Sequence, residues 1–115
     1  MLAQANRIVS GADYRSTVRR GRRVHGTNTI VYVQRAAQDV PTRFGFIVSK
    51  AVGIAVVRNT VRRRLKAIAR ELLPELQPGC EIVVRALPGS AQASWTSLHS
   101  EIRRAVDKVG VRCMP

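Results

Sequence analysis

Residues 43–72 read Arg-Phe-Gly-Phe-Ile-Val-Ser-Lys-Ala-Val-Gly-Ile-Ala-Val-Val-Arg-Asn-Thr-Val-Arg-Arg-Arg-Leu-Lys-Ala-Ile-Ala-Arg-Glu-Leu. The pattern changes once along this stretch. Residues 43–49 are rich in aromatic and β-branched side chains and read as a strand. Val57, Val61, Leu65, Ile68 and Leu72 then recur at spacings of four, four, three and four. At 100° per residue they fall in one narrow stripe, which predicts an amphipathic helix over 57–72. Pro74 ends it, because proline cannot continue the helical hydrogen-bond ladder.

Working outward, Pro78-Gly79 marks a turn and residues 80–86 (Cys-Glu-Ile-Val-Val-Arg-Ala) read as another strand, broken by Pro88-Gly89. A last helix is expected from about Ser94 to Val109, with Leu98, Ile102, Ala105 and Val109 as its apolar stripe and Gly110 closing it. Upstream, residues 10–20 predict a first helix. Ser10 with Asp13 has the spacing of a capping box, and Gly21 suits the position past its end. Residues 27–35 predict a strand, and the seven residues after it, with Asp39 and Pro41, predict an antiparallel connection to 43–49. Arg22 to His25 is a weaker, short strand signal. The expected fold class is α+β: a single-domain α/β sandwich, order α-β-β-β-α-β-α, on a small mixed sheet. One domain is expected over residues 1–115, with an ordered core from about 6 to 109.

Charge is the abnormal feature. Lys plus Arg is 20 against 7 Asp plus Glu, a formal net charge of +13 in 115 residues. Lysine occurs only at 50, 66 and 108, so the excess is arginine. A small domain with this balance must tolerate its own repulsion, and a polyanion is the expected partner. The arginine bias favours phosphate, whose oxygens the planar guanidinium matches in pairs. No apolar run approaches membrane-spanning length, and the first residues lack a signal-type apolar block, so no membrane partner is expected and a cytoplasmic location is. Cys80 and Cys113 are too few for a disulfide scaffold or a four-thiolate zinc site and are read as reduced thiols.

The charge concentrates opposite the stripe of 57–72. Asn59, Arg62, Arg63, Lys66 and Arg70 lie there, with Arg58 at their flank and Arg64 nearer the apolar side. From Arg58 to Lys66 there are five cations and no acid. A solvated salt-bridge helix would interleave acids at four-residue spacing. No helix-turn-helix, zinc finger or zipper pattern accompanies it, so RNA suits this helix better than duplex DNA.

At these residues the sequence resembles a known family. The strand ending Val48-Ser49-Lys50, a Gly-containing connection, then Arg58-Asn59-Thr-Val-Arg62-Arg63-Arg-Leu-Lys66 is similar to the bacterial ribonuclease P protein subunit. Asn6-Arg7-Ile8, Asp13-Tyr14, Val18, Gly21 and Tyr32 fit the family's upstream pattern, and the resemblance covers roughly residues 6–108. Three positions depart. Lys66 and Ala67 stand where the family usually has Arg-Glu, such a pair occurring one turn later at Arg70-Glu71, and Val18 replaces an aromatic.

The resemblance implies a two-part endoribonuclease in which an RNA subunit, using magnesium, removes the 5′ leader of precursor tRNA. Arg58, Asn59, Arg62, Arg63 and Lys66 would bind the RNA subunit, with Ser49, Lys50 and Arg70 in support. Tyr14, Val18 and Tyr32 would hold the leader in a groove between the first helix and the sheet. No stable homo-oligomer is expected. The resemblance also implies a left-handed β-α-β crossover, whereas general rules predict a right-handed one.

The protein's own residues offer little nuclease chemistry. A two-metal site needs clustered carboxylates, and Asp13, Asp39, Glu71, Glu75, Glu81, Glu101 and Asp107 are dispersed. His25 is expected in a basic turn and His99 on an exposed helix face. Cys80, in an apolar strand, reads as core, as do Phe44, Phe46 and Trp95. Two other functions share the composition: a non-catalytic RNA-binding module such as a ribosomal or assembly protein, and a stand-alone ribonuclease.

Overall fold

The computed structural model describes residues 2–36 and 39–110. Helix α1 (Gly11–Arg20) is followed by strands β1 (Arg22–His25), β2 (Thr29–Arg35) and β3 (Arg43–Ile47). Helix α2 (Ala55–Leu72), strand β4 (Cys80–Ala86) and helix α3 (Trp95–Val109) complete it, in the expected order. The local signals act as expected. The Ser10 hydroxyl accepts from the Ala12 and Asp13 N–H groups and starts α1. Ser94 accepts from Ser97 N–H at 3.0 Å and starts α3, and Gly110, at φ 82°, ends it in the left-handed conformation. The weak signal at 22–25 is a real strand, paired antiparallel to β2.

The connection between β2 and β3 differs from the expectation. The two strands run antiparallel but do not pair. The sheet order is β1-β2-β4-β3, with β4 antiparallel to β2 and parallel to β3. Strand β4 carries Ile82, Val83 and Val84, all at most 1% exposed, so it needs cover on both faces and takes an interior position. Crossing one intervening strand spans about 10 Å, which seven residues reach easily. A parallel β3–β4 pair then requires a crossover, and α2 supplies it.

The two faces of β4 belong to different cores. Cys80, Ile82, Val84 and Ala86 join Val31, Val33 and Phe44 against Val61, Leu65, Ile68 and Leu72 of α2 and Leu98, Ile102 and Val106 of α3. On the other face Val83 joins Ile8, Ile30 and Tyr32, with Tyr14 and Val18 of α1, Ile47 and Leu87 packed around them. Leu2 also lies in the main core at 3% exposed, and the Arg7 guanidinium donates to its carbonyl at 2.8 Å. The packed chain thus begins before the expected residue 6.

Cys80 is a free thiol, 1% exposed. Burial pushes its pKa up, against smaller opposing effects from Arg35 and the Thr42 hydroxyl. Cys113 lies outside the described residues. In a Cys113→Ser background, Cys80 is expected to resist iodoacetamide at mildly alkaline pH while folded and to react as an ordinary thiol in urea. Equal rates in the two states would place the thiol at the surface.

Candidate nucleic-acid interface

Helix α2 holds its cations out by burying the opposite stripe. Val61, Leu65, Ile68 and Leu72 are at most 1% exposed. Asn59, Arg63, Lys66 and Arg70 are exposed, and Arg58 and Arg62 are half-buried. The Asn59 amide oxygen accepts from Arg62 Nη1 at 3.0 Å, which fixes that guanidinium along the helix surface. Ser49 and Lys50 are exposed on the short turn before the helix, where Gly53 adopts φ 156°. Arg64 turns away from this row and donates to the Ala93 carbonyl at 3.2 Å, so it braces the segment before α3.

Tyr14 is tied to β3. Strand β3 lies at the sheet edge, and its outward backbone groups need partners. The Phe44 carbonyl accepts from Ile8 N–H at 2.8 Å, and Phe46 N–H donates to the Tyr14 hydroxyl at 3.1 Å. The Tyr14 ring lies on Gly45, where an added Cβ would come within 2.5–2.7 Å of the phenol. Glycine is therefore required there by close approach, not by a special φ. Val18, half-buried one turn along, packs into the same small core.

The two expected sites meet. A groove of about 600 Å³ runs between the N-terminal segment and α2, with Arg7, Tyr14, Phe46, Arg62, Arg63 and Lys66 among its lining. It has an apolar floor and a cationic wall. Phe46, expected in the core, stacks on Phe44 at 6.2 Å and also lines this groove.

Tyr32, which the resemblance implies would help hold the leader, offers little ring surface to a ligand. It is 4% exposed and buried between the sheet and its neighbours. The Arg85 guanidinium carbon lies 5.8 Å from the ring centroid, in cation–π contact. Arg85 is half-buried and presents the charge on this face. The sequence signal for it was a cation at 85 in an otherwise apolar strand end. His99 also departs from its expected exposed face. Its side chain is 14% exposed, its ring lies 4.9 Å from that of Trp95, and Nε2 faces Glu71 at 3.4 Å.

Four carboxylates, Asp13, Glu75, Glu81 and Glu101, hold elements together. Asp13 and Glu81 both pair with Arg43, and Glu81 also accepts from the Thr17 hydroxyl. Glu75 pairs with Arg103, and Glu101 accepts from Asn28 N–H and the Thr29 hydroxyl. Among the described residues no group of three or more His, Cys, Asp or Glu comes together to hold a metal ion. No helix among them is long and apolar enough to cross a membrane.

These features define a small, arginine-rich α+β domain with a cationic helix and groove, built to meet a polyanion. The family model for ribonuclease P matches residues 2–110. A ribonuclease P protein component from Clavibacter michiganensis is 52% identical over 94% of this chain and 96% of its own length. One from Streptomyces avermitilis is 41% identical over 95% of each. Among solved structures, a Staphylococcus aureus RNase P protein mutant superposes with a TM-score of 0.85, covering 94% of this chain and 91% of that one at 22% identity. The Thermotoga maritima protein gives 0.78, covering 89% and 96% at 18% identity. The chain belongs to the ribonuclease P protein family, and its role is that of a protein subunit of ribonuclease P. A ribosomal or assembly module is not favoured.

Gly45→Ala tests the seat of Tyr14. The ring must shift and release Phe46 N–H, so a destabilisation of about 1–3 kcal/mol is expected by urea unfolding, the usual cost of overpacking. A neutral result would mean that the ring does not rest on β3.

Proposed function

We propose that the exposed face of α2 binds the RNA subunit and that the adjoining groove and sheet face receive the 5′ leader of precursor tRNA. The observation that carries this is the groove itself, in which the Tyr14 ring and the α2 cations Arg62, Arg63 and Lys66 share one wall-and-floor arrangement. A single strand needs such a pairing, with cations for its phosphates and flat or apolar surface for its bases. In this reading Arg58, Arg62, Arg63 and Lys66 neutralise phosphates, and Asn59 orients Arg62. Ser49, Lys50 and Arg70 extend the surface at either end. Arg85 takes the leader contact expected of Tyr32, while Val18 adds apolar surface beside Tyr14.

Hydrolysis resides in the RNA subunit in this proposal. Asp13, Glu71, Glu75, Glu81 and Glu101 are engaged in ion pairs and hairpin contacts, which leaves the protein to bind and orient. Magnesium belongs mainly to the RNA in this proposal; among the described residues no group of three or more His, Cys, Asp or Glu comes together to share it. The protein acts as a monomer within the complex, in the cytoplasm.

Reconstitution with the RNA subunit, precursor tRNA and magnesium tests the whole reading: cleavage must require the RNA. Protein that cleaves alone would overturn it. Arg62→Ala/Arg63→Ala is expected to lower the salt slope of RNA-subunit binding by about 0.7–0.9 per lost phosphate contact while the domain stays folded. An unchanged slope would move the RNA site off α2.

Tyr14 has both a packing and a binding role, and two variants separate them. Tyr14→Phe loses only the hydroxyl, about 0.5–1.5 kcal/mol of stability, and keeps the ring. It should retain the preference for leader-bearing over mature tRNA. Tyr14→Ala should lose about 1–3 kcal/mol of that preference, the worth of one stacked base. Equal loss for both RNAs in Tyr14→Ala would make Tyr14 a packing residue alone. Val18→Phe should tighten leader binding only, by adding a second ring on that helix face.

A further inference from the structure

A second arginine surface lies on the side of the sheet away from α2. Helix α1 packs inward through Tyr14, Thr17 and Val18. Arg15 and Arg19, four residues apart, therefore stand on its outer flank, with Arg20 beside them. Arg23 continues the run on the exposed edge strand β1, because it lies opposite Tyr32 and so shares the α1 face, whereas Arg22, opposite Val33, faces the other side. Arg15, Arg19, Arg20 and Arg23 are all exposed.

These cations lack acidic partners. From Tyr14 to Gln38 the sequence contains no Asp or Glu. Asp13, the acid of α1, is turned inward to Arg43. Among the described residues no carboxylate forms an ion pair with any of these four, whereas Arg43 and Arg103 are both paired. A helix flank that gathers like charges without acids is destabilised by them, so an external anion is needed to offset it.

The surface also indicates which anion. Arg15, Ser16, Arg19 and Arg20 line a shallow seat of about 230 Å³, below the roughly 300 Å³ at which small-molecule pockets begin. It shares no residue with the groove at Tyr14 and α2. None of the exposed large apolar side chains, Val9, Val40, Ile54, Val56 and Trp95, belongs to it. Without an apolar face it does not suit a lipid surface. Without aromatic rings it does not suit stacked, unpaired bases. Arginine alone, in a row along a helix, matches the evenly spaced phosphates of a double-stranded backbone.

We propose that the outer flank of α1, continued by the start of β1, is a second RNA-backbone site, which holds a double-stranded segment of the RNA subunit. This rests on the assignment of the RNA subunit as the partner of α2. With α1 and α2 on opposite faces of the sheet, the domain then joins two separate RNA segments and leaves the leader groove between them.

The test is binding of the RNA subunit alone, without tRNA, measured between about 50 and 200 mM salt. Arg15→Ala/Arg19→Ala should lower the salt slope by about 1.8, so that the parent protein loses about twelvefold more affinity over that range than the variant. Combined with Arg62→Ala/Arg63→Ala, the two slope losses should add, because the faces are separate. Arg15→Glu/Arg19→Glu should weaken binding further with a urea midpoint no lower than the parent's, since it removes like-charge repulsion on the helix, which separates charge from folding. A parental slope in the α1 variant, with a reduced one in the α2 variant, overturns this inference and leaves the α2 site standing. Parental slopes in both overturn both. A loss seen only with precursor tRNA present assigns the flank to tRNA and overturns the RNA-subunit assignment.

Discussion

Strand β4 is buried on both faces, and each working surface is placed by what packs against it. Ile82 and Val84 take the stripe of α2 and α3, and Val83 takes the small core under α1. Because β4 sits inside the sheet, β3 is pushed to the edge. An edge strand needs partners for its outward amides, and the Tyr14 hydroxyl and residue 8 supply them. The position of the groove thus follows from the demand of one apolar strand for cover.

The same core makes a strongly cationic helix tolerable. Burying Val61, Leu65, Ile68 and Leu72 contributes roughly 1.5–3 kcal/mol each as an upper estimate. Each like-charge pair one turn apart costs about 0.2–0.5 kcal/mol. Burial wins, so α2 persists with its cations unneutralised and ready for an external anion. Arg58, Arg62 and Arg64 are partly drawn into the protein surface, which leaves the outermost row to Asn59, Arg63, Lys66 and Arg70.

Acids and cations are divided by place. The acids Asp13, Glu75, Glu81 and Glu101 are used to lock elements together: α1 to β3 and β4, the end of α2 to α3, and the β1–β2 hairpin to α3. Spending them on internal contacts leaves most of the net charge of +13 on the surface. The domain is a charged scaffold whose own polar groups are largely occupied in holding it together.

Sequence alone determined the elements, the basic face of α2 and the family. Helical periodicity, the capping serines at 10 and 94, and the glycine at 110 act within a few residues, so local patterns carry them. The Val48-Ser49-Lys50 and Arg58-Asn59 motifs are equally local, and the residues expected on α2 lie together on one face. Tertiary structure alone decided the rest. Strand order was invisible because a two-sided apolar strand does not say which neighbours it will take. The burial of Tyr32 depends on Arg85, Val83 and Ile8, residues distant in sequence, so no local pattern carries it. Gly45 had no reading until the Tyr14 ring came to rest on it. Each of these depends on which side chains from separate elements occupy the same volume, and only the packed chain settles that.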